Sequence, residues 1–142
     1  SSDLVVIFKS DTPYSRLLPQ NKWVNVNVIT CAAPNLRERP SNAFNTGDGS
    51  QAVKISPAQL EQIHIQRGRK ILATAAANKN EVIILGAFGC GAFMNNPEIV
   101  ANAYTKLVEE FKNAFKVIEF AIYCSPRDDS NFRIFSDRIK VE

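Results

Sequence analysis

The sequence is poor in the residues that mark metal and redox sites. It contains one histidine, His64, and three cysteines, Cys31, Cys90 and Cys124, which lie far apart and form no C-x-x-C pair. A structural zinc site needs four such ligands, usually in closely spaced pairs. We therefore predict no metal site and no cofactor. An odd number of cysteines in a chain without a secretory signal is typical of a reduced compartment, so we expect a cytoplasmic protein.

Long apolar runs and dense basic runs are also absent. No stretch approaches the ~20 apolar residues that cross a bilayer, and the N-terminus lacks a basic segment followed by an apolar one. The net charge of +3 mildly favours an anionic ligand. The densest basic group, Arg67, Arg69 and Lys70, is better explained as a solvated helix face. We expect neither a membrane partner nor direct nucleic-acid binding.

Short apolar strands and helices alternate along the chain. Buried strands are predicted at residues 4–8, 81–85 and 117–123, an alternating strand at 23–30, and helices beginning at Ser56, Asn96 and Ser130. This order predicts an α/β fold with a mainly parallel or mixed sheet, in one domain of 142 residues. Residues 36–55 form a polar stretch too long for a plain connector, so we expect it to be mobile or functional.

The helix predicted from Ser56 has clear start signals. Ser56 can cap, Pro57 suits the first helical position, and Gln59 completes a capping box. His64 falls on the apolar stripe of this helix. We therefore interpret His64 as a core or interface residue in preference to a proton-transfer group.

A glycine-rich loop connects a predicted strand to a predicted helix, in the string VIILGAFGCGAFMNNPEIV. Its glycines allow positive φ and close approach of a ligand. Successive loop N–H groups can form an anion nest, and the helix start adds a positive dipole end. Ligands of open α/β sheets bind beyond the carboxyl ends of strands. The loop thus predicts a phosphate or diphosphate cradle.

Two alternatives to the cradle stay open at this point. The spacing G-x-x-G-x-G matches neither the dinucleotide-binding motif nor the nucleotide-triphosphatase loop, so the glycines could serve a tight structural turn. Cys90 lies just before a helix N-terminus, where a thiol pKa can fall. A catalytic thiol is therefore the lesser alternative to a small, partly buried residue.

Two strings resemble one family. VITCAAPN at residues 28–35 and ILGAFGCGAFMNNPEIVA at residues 84–101 resemble microbial-type poly(ADP-ribose) glycohydrolases, a branch of the macrodomain superfamily. The resemblance covers essentially the whole chain but only the C-terminal part of the family domain. It implies a three-layer α/β/α macrodomain whose N-terminal portion is missing, with residues 1–142 as a single partial domain.

The resemblance also implies a ligand and its contacts. The family binds ADP-ribose, so ADP-ribose or an ADP-ribosylated protein is the expected partner. The diphosphate and ribose contacts would fall to the glycine loop and to the end of a neighbouring strand, at Gly86, Ala87, Gly89, Cys90, Gly91, Ala92, Phe93 and Asn35.

The family's catalytic signature does not match this sequence. That signature is a triple-glycine loop followed by a glutamine and two adjacent glutamates, whereas Glu109 and Glu110 lie in mid-helix. Cleavage of a glycosidic bond needs a positioned carboxylic acid. The other acids considered have no spacing typical of such a pair and are interpreted as surface charges, namely Glu38, Asp48, Glu61 and Glu98. We assign no catalytic residue and expect no turnover by this chain alone.

Three functions follow as hypotheses, and whether the chain is an enzyme stays open. It could be the ADP-ribose-binding portion of a glycohydrolase. It could be a non-catalytic module that binds ADP-ribose or another nucleotide diphosphate. It could also be an interaction scaffold, completed as a homo-oligomer or by a chain that supplies the missing N-terminal half, because an incomplete sheet leaves an edge to be paired.

Overall fold

The computed structural model describes residues 2–38 and 54–139. The chain divides into two compact units, Ser1–Cys31 and Ala32–Glu142, which are treated separately below. Most of the polar stretch 36–55, together with Asp48, lies outside the described residues.

The first unit is a two-stranded antiparallel ribbon. Strand β1, Ser2–Ile7, pairs with β2, Val24–Val28, and a 3-10 turn at Gln20–Lys22 precedes β2. Both strands lie where the sequence predicts them. The predicted burial of the first strand is wrong, since Val5 is 36% and Ile7 49% exposed. A two-stranded ribbon has no second layer within its own unit that could cover its apolar side chains.

The second unit contains the remaining predicted elements in the predicted order. They are α1 (Pro57–Ala77), β3 (Val82–Leu85), α2 (Pro97–Phe111), β4 (Val117–Phe120) and α3 (Ser130–Arg138). The capping box predicted at the start of α1 is present in full. Strand β4 ends three residues earlier than predicted. Its partner β3 ends at Leu85, which pairs with Phe120, so the ladder has no partner strand beyond that point.

The core of the second unit lies between the helices and one face of the parallel β3–β4 pair. Phe120 packs edge-on against Tyr104 and at a tilt against Phe135, with ring centroids 5.8 Å apart in both pairs. Helices α1 and α2 approach closely at Gly68, where an added Cβ would lie 2.4 Å from Leu107 Cδ1. A larger residue at Gly68 would require the Leu107 side chain to shift, so the glycine favours the close packing of the two helices.

The other face of the β3–β4 pair carries exposed apolar side chains. Val82 is 52%, Ile84 64% and Val117 47% exposed, whereas the alternate residues Ile83 and Leu85 are buried. The prediction of wholly buried strands is thus wrong for this face. The predicted α/β class is confirmed as a mixed fold, with one antiparallel and one parallel two-stranded sheet. Among the described residues, no helix is long and apolar enough to cross a membrane.

Candidate functional site: the glycine loop

Residues 86–96 form the loop between the end of β3 and the start of α2. Gly89 has φ of +80°, and Met94 also has positive φ, at 56°. A Cβ at Gly89 would lie 2.6 Å from Ala33 Cβ and 2.7 Å from Asn95 Nδ2. Both the backbone conformation and the available space therefore demand glycine at this position. Around Gly91, by contrast, an added Cβ would meet nothing within 4 Å.

Asn95 joins the loop to itself and to the segment that follows the first unit. Its side chain is buried, with 2% exposure of the residue. Its Nδ2 donates to the carbonyl oxygens of Pro34 at 2.7 Å, Gly89 at 3.0 Å and Phe93 at 3.2 Å. Its backbone N–H donates to the carbonyl of Gly89 at 3.0 Å. One amide side chain thus fixes two peptide groups of the loop and one outside it.

The side chain of His64, in α1, forms a hydrogen bond with the buried side chain of Asn95. It is fully buried, and its Nε2 lies 2.9 Å from Asn95 Oδ1. Because the amide nitrogen of Asn95 donates to carbonyls, Oδ1 must accept, and Nε2 therefore carries the proton. Among the residues that the structure describes, Nδ1 has no hydrogen-bond partner. The prediction that His64 is a core residue is confirmed.

Burial lowers the pKa of His64 because the charged imidazolium loses its hydration. The hydrogen bond to Asn95 opposes this effect, whereas the nearby charge of Arg67 adds to it. The ring edge of Phe88 also packs on the imidazole, with centroids 5.8 Å apart. The imidazole is accordingly neutral at neutral pH, and it acts as a hydrogen-bond donor within an apolar surrounding.

The loop contains backbone donors that no described acceptor uses. Within the described ranges 2–38 and 54–139, the N–H groups of Gly89, Gly91, Ala92 and Phe93 donate to no acceptor. Gly91 and Ala92 are exposed. An anion nest consists of several backbone N–H groups close together in the chain, and four such groups lie within five residues here.

The start of α2 contributes less to such a nest than its position predicts. The Asn96 side chain caps the helix by accepting from the N–H of Glu98 at 2.9 Å. Glu98 also places a carboxylate in the first helical turn, where it complements the dipole. The protein's own side chains thus satisfy part of the helix end, and the loop N–H groups are the donors that remain.

Asn35 lies beside the same loop. The N–H of Leu36 donates to the carbonyl of Phe93 at 3.0 Å, and Asn35 Oδ1 accepts from Arg37 Nε at 2.9 Å. The Arg37 guanidinium stands 5.6 Å from the centroid of the Phe93 ring, a cation–π distance. Every residue assigned from the family resemblance therefore lies either in the loop or next to it.

Cys90 has no sign of an activated thiol. Burial raises its pKa to about 12, so the thiol stays protonated near neutral pH. Its N–H donates to the carbonyl of Ala87 at 3.0 Å, which closes a turn inside the loop. This burial disfavours the alternative of a catalytic thiol and favours the alternative of a small, partly buried residue.

The acids of the two long helices lie in surface ion pairs. Glu61 pairs with Lys106 at 2.6 Å, and Glu110 pairs with Arg69 at 2.7 Å. The hydrogen bond from Arg69 lowers the pKa of Glu110, the opposite of what a general acid needs. Among the described residues, no group of three or more His, Cys, Asp or Glu side chains could hold a metal ion.

The sequence analysis did not identify Asn95 or Arg37 as part of the site, and it did not predict a hydrogen-bond partner for His64. One signal was available for Asn95, since two asparagines precede Pro97 and a helix needs only one cap. For His64 the signal was a polar residue on an apolar stripe, which requires a partner. Nothing in the sequence indicated that these two residues are each other's partners, because 31 positions separate them.

The fold and the loop together define an α/β protein with a strand-to-helix glycine loop as its candidate anion site. No protein-family model matches the sequence. A search of curated proteins found no match.

Solved structures, by contrast, match it clearly. The poly(ADP-ribose) glycohydrolase of Deinococcus radiodurans, solved in complex with ADP-ribose, is 32% identical with a TM-score of 0.72, and the match covers 96% of this chain and 50% of that one. The enzyme from Thermomonospora curvata is 26% identical with a TM-score of 0.75, over 96% and 45% of the two chains. The resemblance seen in the sequence is thereby confirmed. The chain is similar to poly(ADP-ribose) glycohydrolases and spans about half the length of the structures it matches.

Proposed function

We propose that this chain is the ADP-ribose-binding portion of a glycohydrolase-like macrodomain, and that the glycine loop binds the diphosphate. The observation that carries the proposal is the set of four loop N–H groups without an acceptor among the described residues. The 32% identical Deinococcus radiodurans enzyme, which was solved with ADP-ribose, supports the choice of ligand. Free ADP-ribose and ADP-ribose attached to a protein both fit the proposal, since they offer the loop the same diphosphate.

The chemistry of the loop suits a diphosphate. Backbone N–H groups are neutral donors that need no desolvation of a charge, and several of them aimed at one anion act together. Arg37 adds a positive charge close to Phe93. We propose that Gly89, Gly91 and Ala92 provide the nearest donors. The ribose would pack on Phe93, and the remaining assigned residues would shape the loop, namely Gly86, Ala87, Cys90 and Asn35.

Gly91→Glu should abolish ADP-ribose binding. A side chain at this position meets open space, so the variant should fold, but it sets a carboxylate where we place the diphosphate. Calorimetric titration of the unaltered chain should give micromolar affinity, about 8 kcal/mol, and the variant should lose at least about 100-fold, or roughly 2.7 kcal/mol.

Gly91→Ala is the matched control for this titration. It adds a methyl group in the same open space without a charge, and its affinity should stay close to that of the unaltered chain. Ribose alone serves as the control for binding that does not involve phosphate. Undiminished affinity in Gly91→Glu would show that the diphosphate lies elsewhere.

We further propose that this chain does not hydrolyse ADP-ribose polymer by itself. Its helix carboxylates are engaged in ion pairs such as Glu61 with Lys106, and hydrolysis needs an acid held at the leaving oxygen. The test is release of free ADP-ribose from polymer by the purified chain, with a complete bacterial glycohydrolase as the positive control. Release above the no-protein blank would mean that another acid of this chain performs the protonation.

A second candidate function is a scaffold completed by another chain. The exposed apolar face of β3 and β4, with Val82, Ile84 and Val117, favours it, because such faces are normally covered. Either a second copy or a chain equivalent to the N-terminal half of the family domain would serve. Sedimentation analysis of the purified chain separates a monomeric binding module from a self-completing oligomer. We further propose that residues 1–142 form a single partial domain and that the protein is cytoplasmic.

A further inference from the structure

We infer that His64 and Asn95 are positioning residues that hold the glycine loop in its ligand-binding conformation through the Nε2–H···Oδ1 hydrogen bond. The inference rests on the proposed function, since it assigns the support of the same loop. Neither residue is placed against the ligand. Both lie beneath the loop, in the core of the second unit.

The hydrogen bonds form one chain from α1 to the glycine loop. His64 Nε2 donates to Asn95 Oδ1 at 2.9 Å, and Asn95 Nδ2 donates to the carbonyls of Gly89 and Phe93 at 3.0 and 3.2 Å. The Gly89 carbonyl shares a peptide plane with the N–H of Cys90, and the Phe93 carbonyl shares one with the N–H of Met94. Asn95 therefore fixes the peptide planes on both sides of the segment that carries the N–H groups of Gly91, Ala92 and Phe93.

His64 reinforces the orientation of Asn95. An asparagine amide can rotate by 180° and exchange its oxygen and nitrogen, which would turn an acceptor toward the loop carbonyls. The facing carbonyls already favour the orientation in which Nδ2 donates to them. The Nε2–H donor of His64 stabilises the same orientation through Oδ1, so loss of this donor weakens the hold of Asn95 on the loop.

Burying the imidazole of His64 lowers the stability of the fold compared with burying an apolar side chain at the same position. Burial of His64 leaves Nδ1 without a partner among the described residues, and a leucine at this position would fill the stripe without that loss. Polar groups that lower stability without improving packing are typical of functional sites. Support of the loop is a role that an apolar side chain cannot fill.

The test compares three substitutions at position 64. His64→Gln returns an N–H donor near the position of Nε2, His64→Asn offers the same amide at a shorter reach, and His64→Leu offers no donor. Leu72→Ala, a buried residue of the same helix, controls for general loss of stability. Each variant is titrated with ADP-ribose, and amide hydrogen exchange of Cys90, Met94 and Asn95, whose N–H groups donate within the loop, is followed without ligand.

We expect His64→Asn and His64→Leu to lose affinity at least about tenfold, equal to about 1.4 kcal/mol, with faster exchange in the loop. His64→Gln and Leu72→Ala should stay within about threefold of the unaltered chain, which is less than about 1 kcal/mol. If His64→Leu does not fold, the difference in ADP-ribose affinity between His64→Gln and His64→Asn still tests the positioning role.

Three results would overturn the inference. Equal affinity of the Gln and Asn variants with the unaltered chain would remove the positioning role and leave the proposed function intact. A loss in Leu72→Ala as large as that in the Asn variant would assign the effect to general stability. Failure of the unaltered chain to bind ADP-ribose would instead overturn the proposed function, and the positioning role with it.

Discussion

Replacing Asn95 with aspartate should lower the free energy of unfolding by about 3 kcal/mol or more, because the change buries a carboxylate among carbonyl oxygens. The amide of Asn95 donates to three carbonyls and accepts from His64. Aspartate keeps the acceptor toward His64 and turns every donated bond into a repulsive contact.

The loss of stability in Asn95→Asp should increase as the pH rises. Burial and the facing carbonyls raise the pKa of the new carboxyl group in the folded state above its unfolded value of about 3.9. The unfolded state then releases its proton first as the pH rises. The destabilisation should therefore grow above about pH 4 and be smallest in acid, where the protonated carboxyl group of the variant can again donate one hydrogen bond.

Asn96→Asp is the matched control, with the same chemical change one residue further along. Asn96 is an exposed N-cap whose oxygen accepts from the N–H of Glu98, and aspartate caps helices as well as asparagine does. Urea unfolding of both variants at neutral pH measures the difference. A loss in Asn95→Asp no larger than that in Asn96→Asp would mean that Asn95 does not hold the loop in solution.

Much of the second unit could be predicted because its signals are local. The capping box at Ser56, the proline at position 97 and the short apolar runs each depend on neighbours within a few residues. They mark α1, α2, β3 and the start of β4 where the structure has them. The glycine loop was also visible as a candidate site, since three glycines between a strand and a helix are a local pattern.

The missed features depend on contacts between distant segments. The hydrogen bond of His64 with Asn95 joins residues 31 positions apart, and Arg37 meets Phe93 only because residues 33–36 lie along the loop. The burial of β3 was also overestimated. An apolar run predicts that a strand can be buried, whereas the exposure of Ile84 depends on which layer covers that face.

Gly89→Ala should be the most damaging conservative change in the loop. Its φ of +80° is unfavourable for alanine, and the new Cβ would lie 2.6 Å from Ala33 Cβ and 2.7 Å from Asn95 Nδ2. Positive φ costs about 1 kcal/mol, and a core contact of this kind costs roughly a further 1–3 kcal/mol. We expect a total loss of about 2–4 kcal/mol and, since Asn95 must move, a loss of ADP-ribose binding.

Gly91→Ala separates this effect from the mere addition of a methyl group to the loop. No atom lies within 4 Å of its new Cβ, so urea unfolding should place its stability within about 1 kcal/mol of the unaltered chain. Equal stability of the two alanine variants would show that the loop does not hold Gly89 at positive φ. If they differ as expected, the two glycines differ in their structural role, because Gly89 lets the loop close over Asn95 whereas Gly91 tolerates a side chain in open space.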